Sequence, residues 1–268
     1  MSHKIIKKTL SQYASKALPI FAVFIVCFSV SNQALAENGL LKGRLVQSFM
    51  TLSDLVSHTL IDSLLFFDGE KRSEEGLLES ISGADAVLNQ LSVYDDESNQ
   101  TLALVNAQWS EIKKHINDMP DDPGYSYFYL ERISSSINAL KSTLDDYVLS
   151  VEKELPASDY ELYSANSDVL KVVSMHLSSA IMDVGNDAAS KARLVKHCDM
   201  ADKNILAVIS HNPVVKSYVL RSWKYIEGPI CKTGKKGGNY TISHFAKKIS
   251  KKLNGLYSAP NSVVTGNF

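Results

Sequence analysis

Hydrophobic residues recur along most of the chain with the three- to four-residue period of an α-helix. Nearly every segment longer than ten residues has this period, and the few glycines and prolines lie mainly between such segments. The pattern predicts an all-α protein. The predicted helices cover about residues 40–67, 73–94, 98–116, 125–154, 159–184, 186–210, 213–228 and 240–256.

The first predicted helix ends at Asp68-Gly69, a typical helix stop. Its inward positions are Leu45, Phe49, Leu52, Val56, Leu60 and Leu64. Trp109 and Trp223 have apolar neighbours at helical spacing, which favours core packing over ligand stacking.

The second half of the chain repeats the helical pattern of the first half, at a shift of roughly 114 to 117 residues. Val105, Trp109, Ile112 and Ile116 recur as Val219, Trp223, Ile226 and Ile230, Ala84-Asp85 recurs as Ala201-Asp202, and residues 133–140 recur as 249–256. We therefore expect two tandem up-down four-helix bundles related by internal duplication, over residues 37–155 and 156–268. The alternative is that the fourth and fifth helices merge into one rod, kinked at Pro156.

The first 36 residues have the features of a cleavable export signal. A lysine-rich leader precedes an apolar run, residues 18–30, which is short for a bilayer-spanning helix. Ala34-Leu35-Ala36 is a small-x-small cleavage site. We expect cleavage after Ala36 and a periplasmic location, and the alternative is an uncleaved N-terminal anchor.

Cys198 and Cys231 are the two cysteines that follow the export signal. In an oxidising periplasm we expect their thiols to form a disulfide bond. Strict antiparallel pairing of the sixth and seventh helices would offset the two residues by about 10 Å along the helix axes. Pro229 ends the seventh helix and lets the chain double back, which favours the bond.

The charges divide between the two halves of the chain. Residues 37–156 contain 9 basic and 21 acidic side chains, whereas residues 157–268 contain 15 basic and 8 acidic ones. One interpretation is that the acidic and basic copies attract one another, within a molecule or in a homodimer. The other is that each copy recruits a different partner.

The sequence contains no motif of an enzyme, cofactor site or metal site. The glycine- and lysine-rich residues 234–238 lack the spacing of a phosphate-binding loop, and no strand precedes them. His197 and Cys198 are adjacent on a helix and therefore point about 100° apart. We predict a protein that is not an enzyme and has no cofactor.

A lysine cluster marks the last predicted helix. Lys247, Lys248, Lys251 and Lys252 are spaced to share one side of it. Such a basic amphipathic helix could contact anionic lipid, cell wall or an acidic protein, or form the solvated face of a bundle. Nucleic acid is not an expected partner of an exported chain.

The second and third helices carry a pattern of apolar residues, a short polar break and a lone tryptophan. The residues concerned are Leu77, Leu78, Leu88, Leu91, Leu102, Val105, Trp109, Ile112 and Ile116. This pattern resembles the sensor domain of type IV pilus chemotaxis transducers, called PilJ-type. Residues 44–47 are similar to that family's first-helix motif of an arginine, apolar residues and a glutamine, but one residue short.

The resemblance implies two tandem four-helix modules that bind a small ligand or an extracellular protein such as a pilus subunit. It also makes Arg44 and Gln47 candidate binding residues. No membrane span or signalling coiled coil follows the second module, so we expect a detached, sensor-like periplasmic binding or adaptor protein. The alternative is a structural or assembly factor of a cell-envelope machine, with the acidic and basic copies as docking surfaces.

Overall fold

The computed structural model describes residues 43–92, 99–119, 123–183, 187–233 and 238–257. Within these ranges the chain is helical and has no β-strand, so the predicted all-α class is confirmed. The chain divides into two units, residues 1–44 and residues 45–268, and every contact described below lies within the second. The predicted export signal lies outside the described residues.

The described ranges contain helices close to those predicted. They are α1 (43–67), α2 (Ser73–Leu91), α3 (Asn99–Asn117), α4 (Pro123–Ser150), α5 (Ala157–Met182), α6 (Ala188–His211), α7 (Pro213–Glu227) and α8 (Asn239–Asn254). A 3-10 turn, Glu152–Glu154, follows α4, and a π-helical turn, Gly228–Thr233, follows α7. None of the helices in the described ranges combines the length and the hydrophobicity of a membrane span.

Helices α4 and α5 are separate, so the alternative of one merged rod is wrong. Leu155 lies between them in an extended conformation, with φ −84° and ψ 150°. The residue that follows is Pro156, whose ring disfavours a helical conformation at the position before it. The break therefore follows directly from the sequence at this junction.

Helix α1 is enclosed by other helices. The rings of Phe49 and Tyr147 of α4 stack with centroids 4.2 Å apart. The Thr59 hydroxyl donates to Ser80 of α2 at 3.1 Å. At its end, Gly69 adopts a φ of 86°, which a glycine tolerates and which stops the helix where the sequence predicted.

Burial on α1 extends around the helix. The six apolar positions predicted to face inward are buried, but so are Val46, Met50, Ile61 and Leu65 on other faces. Two aspartates, Asp54 and Asp62, are also buried, each with 1% of its surface exposed. A helix of this kind is interior to the fold, whereas a peripheral helix has one wet face.

The two halves of the chain share a core. Buried apolar side chains from α1 through α8 form one continuous cluster, and residues 45–268 form one compact unit. Helix α5 packs on α8 as well as on α6, and the pairs α3 with α4 and α7 with α8 are neighbours. The predicted boundary at residues 155–156 is a helix break, but it does not separate two cores.

The two tryptophans occupy matching surroundings. Trp109 and Trp223 are 2% and 1% exposed, as the prediction of core packing requires. The indole Nε1 of Trp109 donates to Asp85 at 2.7 Å, and that of Trp223 donates to Asp202 at 3.2 Å. Asp85 and Asp202 are the residues that the sequence repeat pairs with one another. This equivalence supports the internal duplication, which remains a prediction.

Candidate ligand groove around helix α5

A groove of about 710 Å³ surrounds the C-terminal third of α5. Its walls come from α4, α5, α6 and the π-helical turn, and Leu60 of α1 contributes to its lining. The polar side chains that line it include Ser134, Asn138, Ser174, His176, Ser178, Ser190, Lys191 and Arg193. Its volume lies in the range of pockets that hold small molecules. We call this feature the α5 groove.

The C-terminal end of α5, beside the groove, is fixed by a left-handed residue and by one hydrogen bond. The helix ends at Met182 because Asp183 adopts a left-handed conformation with a φ of 53°. The carbonyl oxygen of Met182 accepts a hydrogen bond of 2.6 Å from the Tyr127 hydroxyl of α4. This bond ties the end of α5 to the neighbouring wall of the groove.

A chain of hydrogen bonds positions the guanidinium group of the groove. Asp187 caps α6 by accepting from the Ser190 backbone amide at 2.9 Å, and it also accepts from the Ser190 hydroxyl at 2.7 Å. Both bonds lower the pKa of Asp187. The Arg193 Nη2 atom then donates to the Ser190 hydroxyl at 2.9 Å. The Arg193 charge is thereby held beside the groove with most of its donors unused by this bond.

His176 adds an imidazole to the groove. Its Nε2 atom is buried and has no hydrogen-bond partner among the described residues. Burial lowers the pKa of His176 below its ordinary value of 6.5. The ring is therefore neutral at neutral pH and adds no charge to the groove.

The predicted disulfide bond between Cys198 and Cys231 is present at one edge of the groove. The two Cα atoms lie 6.1 Å apart, and Cys231 contributes to the lining. The π-helical turn after α7 brings Cys231 to the level of Cys198, which removes the offset expected for a strict hairpin. The bond thus fixes the turn against α6.

The candidate residues taken from the resemblance lie elsewhere. Arg44 is exposed near the start of α1. Gln47 is partly buried, and its backbone carbonyl oxygen accepts a hydrogen bond of 2.9 Å from the Thr51 hydroxyl. Neither residue lines the α5 groove. The structure therefore does not bring them together with the polar residues described above.

The four lysines of α8 do not share one exposed face. Lys247 forms an ion pair with the buried Asp62, at 2.5 Å between Nζ and Oδ1. Lys248 and Lys252 each lie 5.4 Å from an aromatic centroid, those of Phe245 and Tyr218. Lys251 is exposed.

Helices α7 and α8 instead form a surface that mixes cations and rings, which we call the basic face. It consists of Tyr218, Arg221, Tyr225, Phe245, Lys248 and Lys252. The rings of Tyr225 and Phe245 stack with centroids 4.4 Å apart, and a small groove of about 280 Å³ runs beside them. The sequence identified the lysines of this surface but missed the rings on α7.

Comparison with known proteins assigns no family. No family model, no curated protein and no solved structure matches the chain. The described residues contain no group of three or more histidine, cysteine, aspartate or glutamate side chains that could hold a metal ion.

Proposed function

We propose that this chain is an exported, non-enzymatic, sensor-like binding protein whose ligand is a small polar anion held in the α5 groove. The observation that carries the proposal is the Arg193 guanidinium, held beside a small-molecule-sized groove by Ser190 and Asp187. A guanidinium group with free donors is well suited to carboxylates and phosphates.

The other polar groups of the groove fit the same class of ligand. Lys191 adds a second positive charge, and the neutral His176 and the serine hydroxyls add hydrogen-bonding groups without added charge. Asp183 is the acidic side chain in the lining. A compact anion with several oxygen atoms would satisfy more of these groups than a cation or a hydrocarbon would.

The resemblance to a pilus transducer sensor domain favours a location outside the cytoplasmic membrane and an envelope or pilus protein as the partner. Sensor modules of that family act outside the cytoplasmic membrane, and an export signal is consistent with that location. A ligand bound at the junction of α4, α5 and α6 would alter the packing between helices, which an envelope or pilus protein could recognise.

Ligand-dependent thermal stability tests this proposal. A ligand that binds only the folded state raises the melting temperature. We expect citrate or inorganic phosphate to raise the Tm of the wild-type protein more than glucose or glycerol at equal concentration. With the double change Lys191→Gln and Arg193→Gln, the same rise in Tm should require an anion concentration at least ten times higher.

Lys196→Gln combined with Lys203→Gln is the matched control. Both lysines are exposed on the same helix but do not line the groove, so the double change removes two positive charges without changing the site. An equal loss of anion response in this control would point to a nonspecific charge effect. Absence of any anion-specific stabilisation in the wild type would contradict the proposal.

The basic face supports a second candidate, an envelope adaptor that docks on anionic lipid. Val214, near the start of α7, is 92% exposed, and Tyr225 is 53% exposed. Lysine and arginine side chains beside exposed apolar and aromatic groups are typical of helices that lie on a membrane surface. This candidate is close to the alternative of an envelope assembly factor, in which the basic copy is one of the docking surfaces.

Vesicle co-sedimentation tests the second candidate. Vesicles of phosphatidylglycerol and phosphatidylcholine should bind the wild type at low salt. The combined changes Arg221→Gln, Lys248→Gln and Lys252→Gln should abolish that binding. Lys171, Lys196 and Lys203 changed together to glutamine form the control with equal charge loss, and equal binding by the two triple variants would contradict an adaptor role for the basic face.

A further inference from the structure

Helices α1 and α8 face each other through three successive polar pairs. The pairs are Asp62 with Lys247, His58 with Ser250, and Asp54 with Asn254. The first is the 2.5 Å ion pair, and the second is a hydrogen bond of 3.1 Å between Nε2 and Oγ. The spacing of three or four residues places successive pairs one turn apart on antiparallel helices.

The third pair differs from the first because Asp54 faces an uncharged amide instead of an ammonium group. Asp54 is 1% exposed, and neither of its oxygen atoms has a hydrogen-bond partner among the described residues. Burial raises the pKa of Asp54 to about 7, while Lys141 and the nearby amides of Asn254 and Asn166 lower it. The amides face the carboxylate without completing a well-aligned hydrogen bond.

Lys141 acts on Asp54 only through space. Its ammonium group donates to Ser53 at 2.9 Å, to Ser167 at 3.1 Å and to Asp145 at 3.3 Å. A lysine has three N–H donors, and these three bonds use all of them. Lys141 therefore cannot supply the direct contact that Lys247 supplies to Asp62.

Two further buried oxygen atoms belong to the surroundings of Asp54. Asn166 is fully buried and its Oδ1 atom has no partner in the described part of the chain, while its Nδ2 atom donates to Asn254 at 3.3 Å. The Tyr257 hydroxyl is likewise buried and unpartnered there. Burial raises the pKa of Tyr257, and the negative charge of Asp54 raises it further, so the two groups interact.

We infer that these oxygen atoms form a buried site for one alkali cation, Na⁺ or K⁺, with Asp54 as its anionic ligand and Asn166 and Tyr257 as neutral ligands. Oxygen donors are the ligands that hard cations prefer. The cluster carries one negative charge, so a monovalent ion neutralises it, whereas a divalent ion would leave a buried positive charge near Lys141. This site is separate from the α5 groove and does not depend on the proposed function.

In the Asp62–Lys247 pair, this protein already neutralises a buried aspartate with a cation. There a tethered ammonium group neutralises a buried aspartate on the same face of α1, two turns further along. At the corresponding position opposite Asp54, α8 carries Asn254, which has no charge. A free cation then takes the place that a lysine side chain would fill.

The Tm measured at constant ionic strength tests the inference. At about pH 8.5, where Asp54 is ionised, exchanging tetramethylammonium for Na⁺ or K⁺ over about a 100-fold range should raise the Tm of the full chain by roughly 5 °C. At about pH 5 a proton occupies the carboxylate and the response should vanish. The charged groups that face Asp54 are Lys141, which lowers its pKa, and Asp145, which raises it.

Two variants separate cation binding from other effects. Asp54→Asn removes the anionic ligand, and Asn254→Lys provides a tethered ammonium group like that of Lys247. Both should lose the response to Na⁺ and K⁺, and both should melt above the wild type when only tetramethylammonium is present. Ser250→Ala, which changes the neighbouring pair alone, should keep the response.

Either of two results would overturn the inference. One is a wild-type Tm that depends on pH but is the same in all three cations, because a proton or a water molecule alone then satisfies Asp54. The other is a cation response that persists in Asp54→Asn, because the ion then binds elsewhere.

Discussion

The indole nitrogen of Trp223 donates a hydrogen bond of 3.2 Å to Asp202. Trp109 makes the same bond to Asp85, and the sequence repeat pairs both the donors and the acceptors. An indole N–H that is buried without a partner costs free energy, so each aspartate supplies the acceptor that its neighbouring buried indole requires.

Removal of either acceptor should therefore destabilise the protein to a similar degree. We expect Asp202→Ala and Asp85→Ala each to lower the free energy of unfolding by about 1–2 kcal/mol, measured by urea denaturation followed through tryptophan fluorescence. Asp85 also pairs with Lys113 at 2.8 Å, but that pair is partly exposed and adds little. An effect of one change without the other would contradict equivalent surroundings.

Gly76 lies against the buried ion pair between α1 and α8. A Cβ atom at this position would come within 2.6 Å of Lys247 Nζ and 3.0 Å of Asp62 Oδ2. Gly76→Ala should therefore destabilise the protein by about 1–2 kcal/mol, although alanine favours a helix by about 1 kcal/mol over glycine.

Gly83→Ala is the control on the same helix. A Cβ atom there would meet only the side chain of Leu55, at 3.1 Å. This flexible contact can adjust, so the change should be neutral or stabilising by up to about 1 kcal/mol. Equal effects of the two substitutions on the urea midpoint would show that the ion pair does not have the described geometry.

The disulfide bond should stabilise the fold by constraining the unfolded chain. Cys198 and Cys231 are separated by 33 positions, and closing a loop of this length contributes roughly 3–4 kcal/mol. We expect Cys198→Ser with Cys231→Ser to lower the Tm by about 6–14 °C in calorimetry. A reductant should lower the Tm of the wild type similarly and leave that of the double variant unchanged. A wild-type Tm that is insensitive to the reductant would show that the bond contributes little.

Asp54 should make stability fall as the pH rises. Burial raises its pKa from 3.8 to about 7, so the stability that it contributes is present below pH 3.8 and is lost as the pH rises through about 7. With tetramethylammonium as the only buffer cation, Asp54→Asn should raise the free energy of unfolding by roughly 2–4 kcal/mol at about pH 8. It should have much less effect at about pH 5. A wild type and variant with parallel pH profiles would contradict this assignment.

His58 acts in the opposite direction. Burial, followed by the positive charge of Lys247, lowers its pKa from 6.5 to about 3. The stability that a neutral His58 contributes is present above pH 6.5 and is lost as the pH falls through about 3. His58→Gln should therefore lessen the loss of stability in acid, measured by urea denaturation between about pH 3 and 6. If His58→Gln and the wild type had the same urea midpoint throughout this acid range, this role of His58 would be contradicted.

The sequence predicted the helices well because their apolar periodicity is local information. It also predicted the Cys198–Cys231 bond, although only the π-helical turn explains how the two residues reach one level. It did not predict the enclosure of α1, because Asp54 and Asp62 resemble solvated positions when only one face is assumed to be buried. The four-residue spacing of Asp54, His58 and Asp62 was the available signal.

The α5 groove could not be predicted from sequence. Its lining comes from α1, α4, α5, α6 and the turn after α7, which are far apart along the chain. Serines such as Ser134 and Ser190 look like ordinary helix-surface residues until the helices are packed. Arg193 can be recognised as a groove residue only once the cap at Asp187, which positions it through Ser190, is known.

Chemical-shift mapping by NMR locates the anion-binding site in the protein. On titration of the isotope-labelled protein with citrate or inorganic phosphate, we expect saturable shifts concentrated at residues 174–182 and 190–195, with little change on α7 and α8. Shifts confined to the basic face around Arg221 and Lys248, or no saturable shifts with either anion, would contradict the assignment of the α5 groove as the ligand site.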